Sequence, residues 1–212
     1  MLKKFFLDIL YPIKCLGCGE NKVWLCEDCF DKIKITKERC RLTSFLDCLI
    51  IATDYENELI RKILSKFKYS FVQELRAPLG KLLIKKLKQL DNQSFDYVIP
   101  IPLFKRRELW RGFNQAELLA QEVSKEFSIP VLNDLVFRNK NTSQQVGQKR
   151  KKRKENLQNS FGINSEFKDL VKNKRKLLID DVFTTGTTME EVVKELDNIG
   201  IKEVYGLVVA KG

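Results

Sequence analysis

The sequence predicts an α/β protein, a mostly parallel sheet with helices on both faces, preceded by a small cysteine-rich unit. Three observations carry this reading. Four of the six cysteines fall between residues 15 and 29. From residue 54 onward, short β-rich runs alternate with amphipathic helical stripes. One of those runs ends at Asp180-Asp181 and feeds a turn of threonines around one glycine. Strands alternating with helices favour parallel pairing through right-handed crossovers, which places ligands at the carboxyl ends of the strands.

The N-terminal unit comes first. Cys15-x2-Cys18 and Cys26-x2-Cys29 are two thiolate pairs separated by seven residues. Each pair can direct two sulfurs to one ion, and four thiolates close a tetrahedral Zn2+ shell with no open position for water, so the expected zinc is structural. Gly17 and Gly19 suit the tight turns of such a knuckle. Four cysteines could also hold an iron–sulfur cluster or pair as disulfides. Cys40 and Cys48 stand in no paired spacing and read as buried or partly buried free thiols. The chain has no histidine, so any metal must be held by cysteine or carboxylate. Residues 1–10 place Leu2, Phe5, Phe6 and Ile9 at helical spacing, with Asp8 interrupting them and no small-residue cleavage site following. They read as a short amphipathic helix and not as a signal peptide or membrane span, which places the protein in the cytoplasm. The expected division is a zinc-binding module over 1–50 and an α/β domain over 51–212.

In that domain, Ile60, Ile63, Leu64, Phe67 and Phe71 mark one helix, and Leu79, Leu82, Leu83 and Leu87 a second. Residues 96–102 are a short β-rich run closed by prolines. Beyond it, Arg107 and Arg111 stand at the sheet edge, and their fork-shaped guanidinium groups suit a pyrophosphate or, more blandly, a solvated helix end. Trp110 and Phe113 interleave with these cations and read as core or as stacking surfaces. Ala116, Leu119, Ala120, Val123 and Phe127 form the next helix, stopped before Pro130. Residues 138–160 are polar and include six consecutive cations, Lys149, Arg150, Lys151, Lys152, Arg153 and Lys154, which cannot supply core. With 39 basic and 28 acidic residues the chain carries +11. Such a surface favours polyanions, although a general abundance of lysine produces the same number.

The last third holds the chemistry. The strand predicted over 176–180 ends at Asp180 and Asp181. Thr184, Thr185, Gly186, Thr187 and Thr188 then present N–H groups and hydroxyls at the start of a helix striped by Met189, Val192, Val193, Leu196 and Ile199. A helix N-terminus with such a turn cradles phosphate, and the carboxylates suit the vicinal hydroxyls of a ribose, directly or around Mg2+. No Gly-Lys-Ser/Thr occurs there, which excludes a Walker loop. A capped strand-turn-helix would need only one such residue.

Residues 177–188 resemble the phosphoribosyl-pyrophosphate motif of type I phosphoribosyltransferases. Within that superfamily, Pro100 to Leu103, Arg107 and Arg111-Gly112-Phe113-Asn114-Gln115-Ala116 are similar to a first signature of the ComF competence family, and Thr142, Gln145, Val146, Gly147, Arg150, Arg153, Asn156 and Phe161 to a second. The family often carries further cysteine pairs after the first knuckle, where this chain has only Cys40 and Cys48. The resemblance implies a type I phosphoribosyltransferase-like fold, binding of phosphoribosyl pyrophosphate with Mg2+ or of a related sugar phosphate or nucleotide, and a role in DNA uptake. Single-stranded DNA and other competence proteins are the partners it implies. The cationic run at 149–154 and the knuckle would supply backbone contacts to the strand. An active phosphoribosyltransferase on an unidentified acceptor and a non-catalytic adaptor are the alternatives.

Overall fold

The structure, a computed structural model, describes residues 12–90, 94–139 and 160–212. The helix expected at residues 1–10, the cationic run at 149–154 and all of the second signature but Phe161 lie outside them.

Four strands form one parallel sheet in the order β1 (Cys48–Asp54), β6 (Val204–Lys211), β5 (Lys176–Phe183), β2 (Tyr97–Pro100). Alternate residues of these strands supply two different cores, as the two-residue period of a strand requires. Ile50, Val98, Leu177, Ile179 and Leu207 pack with helices α2 (Glu58–Tyr69), α3 (Arg76–Leu87) and α5 (Gln115–Phe127). Leu49, Ile51, Ile99, Leu178 and Val208 pack with α7 (Thr187–Asn198) through Met189, Val192 and Leu196. Helices therefore cover both faces, which explains why the strands read as nearly unbroken apolar runs.

Two strand limits differ from the sequence pattern. β1 is unmarked by any periodicity, because a short strand buried on both faces alternates nothing. β5 runs past Asp180 to Phe183, since β6 continues to Lys211 and pairs with it, Val182 opposite Ala210 and Phe183 opposite Lys211. The two carboxylates thus lie within a hydrogen-bonded strand.

Helix α2 opens on Asn57, whose Oδ1 accepts from the N–H groups of Leu59 and Ile60 at 2.9 and 3.2 Å. It stops at Tyr69, leaving Phe71 outside the helix in left-handed backbone, φ 58°. A two-stranded antiparallel hairpin, β3 (Val136–Arg138) with β4 (Phe161–Ile163), and the short helix α6 (Lys168–Val171) complete the α/β part.

The cysteine-rich unit carries one short helix, α1 (Glu27–Asp31), and is not a free-standing bead. Phe30 and Ile33 belong to the same buried cluster as Ile60, Leu79 and Leu83. The Phe30 ring also lies 4.6 Å beneath the ammonium groups of Lys81 and Lys85. The connecting segment is pinned by Lys86, 1% exposed, whose ammonium donates to the carbonyls of Thr36 and Glu38 at 2.7 Å each. Cys40 and Cys48 are not free thiols: they form a disulfide with Cα atoms 5.4 Å apart. Reciprocal bonds between Arg41 and Leu49, 2.9 Å each way, bring the neighbouring cysteines together, a long-range pairing that spacing does not encode. Among the described residues, no helix is long and apolar enough to cross a membrane.

Candidate functional site

The Sγ atoms of Cys15, Cys18, Cys26 and Cys29 all lie within 4.8 Å of one another. Cys26 Sγ is 3.6 Å from both Cys15 and Cys18. A tetrahedral zinc with Zn–S of about 2.3 Å separates its sulfurs by about 3.8 Å, so these side chains fit one ion. An iron–sulfur cluster spreads its thiolates around several irons and would not fit between sulfurs this close. Burial works against the Cys15 thiolate, but the N–H groups of Cys18, Cys26 and Gly17 outweigh it and hold that thiol at about 6. Gly17 is required by space: a Cβ there would lie 2.6 Å from Cys29 Sγ.

The second site lies at the carboxyl ends of β2 and β5. After Phe183 the chain turns through Thr184, Thr185 and Gly186 into α7, whose first N–H groups have no intrahelical acceptor. Gly186 takes φ 76°, and a Cβ on it would meet the Phe183 ring at 2.5 Å. The hydroxyls of Thr185 and Thr187 share a hydrogen bond of 2.8 Å. Short side chains and a left-handed glycine leave a turn lined with N–H and hydroxyl donors, suited to an anion.

The first signature explains itself in place. Gly112 ends helix α4 (Lys105–Arg111) at φ 82°. Phe113 is buried with its ring 5.7 Å from that of Phe67. Asn114 caps α5 by accepting from Ala116 N–H at 3.1 Å and donates to the Ile101 carbonyl at 3.1 Å, tying the helix to the end of β2. Gln115, 2% exposed, accepts a hydrogen bond from the Arg111 guanidinium. Arg107 and Arg111, four apart on α4, share its half-buried face, and burial lowers the pKa of each. Among the described residues, the Arg111 Nε and Gln115 Nε2 atoms are buried with no hydrogen-bond partner. Buried donors are seldom left unmatched, so these two mark a place for an acceptor.

Two residues were not legible as part of this site. Lys68, from α2, reaches Asp181 at 2.8 Å. Burial presses its pKa down, but the Asp181 carboxylate more than offsets this and leaves it raised. Arg138, from β3, lies over the Phe161 ring at 5.2 Å, and burial and the charge of Arg107 lower it to about 10. Lys68 is one of several lysines along α2 and Arg138 stands at the edge of a basic stretch, so neither carries a sequence signal. Electrostatic interactions link Asp180 to Asp181, Lys68 and Arg138, Asp181 to Lys68 and Arg111, and Arg107 to Arg111 and Arg138.

Asp180 is strongly altered. Burial and the neighbouring Asp181 carboxylate push it up to about 7, against the pull of Lys68. Between about pH 4 and pH 7 the folded chain then holds a proton that the unfolded chain has lost, and stability falls as pH rises through that window. Asp180→Asn removes this titration. Thermal melts should show variant and wild type alike near pH 4, and the variant more stable above pH 7 by about 1–3 kcal/mol. A variant less stable than wild type in mild alkali would contradict this.

Residues 113–212 match the model of the phosphoribosyl transferase domain, and residues 6–44 that of the double zinc ribbon domain. Over 205 residues the chain is 31% identical to competence protein F of Haemophilus influenzae, covering 91% of this chain and 89% of that protein. The chain belongs to the competence protein F family. It is also 30% identical over 152 residues to the DNA utilization protein YhgH of Escherichia coli, covering 70% of this chain and 65% of that one. Competence protein ComFC of Streptococcus pneumoniae is 30% identical over 154 residues, 70% of this chain and 61% of that one. The glutamine phosphoribosylpyrophosphate amidotransferase of Bacillus subtilis aligns at 20% identity and a TM-score of 0.41, over 63% of this chain and 25% of that one. The family's two parts, a phosphoribosyltransferase-type α/β domain and a cysteine ribbon, correspond to the two sites described above.

Proposed function

We propose that the chain binds phosphoribosyl pyrophosphate, or a related sugar phosphate or nucleotide, at Asp180, Asp181 and Thr184 to Thr188, and binds single-stranded DNA in a DNA-uptake role. The observation that carries the first half is the convergence on one strand-end edge of a Thr/Gly turn at a helix N-terminus, paired carboxylates, and the half-buried Arg107 and Arg111 guanidinium groups, with the Arg111 Nε unmatched among the described residues. The 5-phosphate would sit in the turn, the ribose hydroxyls against the carboxylates, and the pyrophosphate toward Arg107 and Arg111. Asp180 would offer Mg2+ a carboxylate while Lys68 holds Asp181, which suits an ion that keeps most of its waters. When bound, the ion would neutralise the pyrophosphate.

Arg111→Ala should weaken phosphoribosyl pyrophosphate about 10- to 100-fold in calorimetry while changing ribose 5-phosphate little, because a charge-assisted bond to the pyrophosphate is lost. Equal losses for both ligands would move the arginine to the 5-phosphate or to a structural role. The adjacent carboxylates also suit a working phosphoribosyltransferase, in which positioning and charge would carry the reaction. Pyrophosphate release with candidate bases would establish that activity, and binding without release would favour the DNA-uptake role.

For DNA, the similarity to a competence protein and a DNA utilization protein and the +11 charge support the reading. Affinity should fall steeply with salt and vary little with sequence. Replacing Lys149, Arg150, Lys151, Lys152, Arg153 and Lys154 with glutamine should flatten that salt slope. An unchanged slope would remove the run from the interface.

A further inference from the structure

Helix α4 has two faces. Arg107 and Arg111 share the half-buried one, whereas Arg106 and Trp110, and Lys105 and Leu109, are the four-apart pairs of the other. On that outer face Trp110 is 67% exposed and Leu109 75%. Trp110 does not stand alone. The Phe71 ring meets it edge to face, centroids 5.0 Å apart at 87°. Tyr69, 56% exposed and two residues before Phe71, has the Arg111 guanidinium 6.0 Å over its ring. Phe71 is held there in left-handed backbone at φ 58°, a conformation that a bulky side chain enters only under strain. A strained backbone that carries an aromatic ring to the surface, against another exposed ring, has no account in core packing.

We propose that Phe71 and Trp110 form a stacking platform for the bases of an unpaired DNA strand, with Lys105 and Arg106 beside them for its phosphates. This rests on the single-stranded DNA reading above and adds its base-contacting surface. Charge complementarity selects the occupant. Aromatic faces interleaved with exposed cations, on a chain of +11, match the alternating bases and phosphates of a single strand. Trp110 and Arg106 are exposed where Arg107 and Arg111 are half-buried, so a strand could lie on them without entering the phosphate turn.

The test uses the full chain. The sequence has two tryptophans, so Trp24→Phe leaves Trp110 as the sole reporter. Titration with a single-stranded oligothymidylate should quench its fluorescence. Trp110→Ala and Phe71→Gly should each weaken oligothymidylate binding about 5- to 150-fold. Glycine keeps the φ that Phe71 requires while removing the ring. Unchanged calorimetry with phosphoribosyl pyrophosphate should show that both variants are folded. An abasic oligonucleotide of the same length should bind wild type and both variants equally. If the variants bind oligothymidylate as tightly as wild type, the platform is overturned while the DNA reading stands. No binding by wild type would overturn both. Unchanged DNA affinity with an altered association state would assign the aromatics to a protein contact and also overturn the proposal.

Discussion

Replacing Cys26 with serine should release about one zinc per chain and lower the thermal midpoint by roughly 10 °C or more. Its sulfur lies 3.6 Å from those of both Cys15 and Cys18, so its loss removes one vertex of the tetrahedron. Three remaining thiolates and a weak hydroxyl hold zinc poorly, and the free energy of a structural zinc site is largely folding free energy. The damage should not stop at the ribbon. Phe30 and Ile33 close part of the cluster that contains Ile60, Leu79 and Leu83, so an unfolded ribbon uncovers core in the α/β part as well. Elemental analysis and calorimetric melting of variant and wild type would check this. Iron in place of zinc, or a variant that melts with the wild type, would contradict the assignment.

Gly186→Val should abolish measurable phosphoribosyl pyrophosphate binding, a loss of at least about 100-fold. Two costs coincide at this position. A β-branched residue resists φ 76°, and its Cβ would lie 2.5 Å from the Phe183 ring and 3.2 Å from that of Phe45. The turn must move, and the N–H groups that face the phosphate move with it. Gly186→Ala should lose less, because it brings the same strain with less bulk. Calorimetric titration of both variants is the measurement, and a valine variant within a few-fold of wild type would show that the turn is not the anion site.

Helical periodicity and the Asp-Asp-Val-Phe-Thr-Thr-Gly-Thr-Thr run made most of the fold readable, because amphipathic helices and cradle turns leave local signals. Cys15, Cys18, Cys26 and Cys29 were equally plain, since paired thiolates with two residues between them have few other uses. β1 escaped because a strand buried on both faces has no alternation. Lys68, Arg138 and the Cys40–Cys48 disulfide escaped because each depends on chain segments that meet only in the fold. Phe71, placed in a helical stripe by its spacing, is instead an exposed ring beyond the helix end. Local pattern reports what a segment does by itself, and the site's charges are assembled from four separate segments.

The most direct test of the central claim is calorimetry of phosphoribosyl pyrophosphate with and without Mg2+, on wild type and on the Asp180→Asn, Asp181→Asn double variant. Wild type should bind, and Mg2+ should tighten that binding, because the ion offsets repulsion between the carboxylates and the pyrophosphate. The double variant should stay folded, lose the Mg2+ effect and bind ribose-bearing ligands at least about 10-fold more weakly. Equal affinity of the two proteins for every sugar phosphate, with or without Mg2+, would contradict the account.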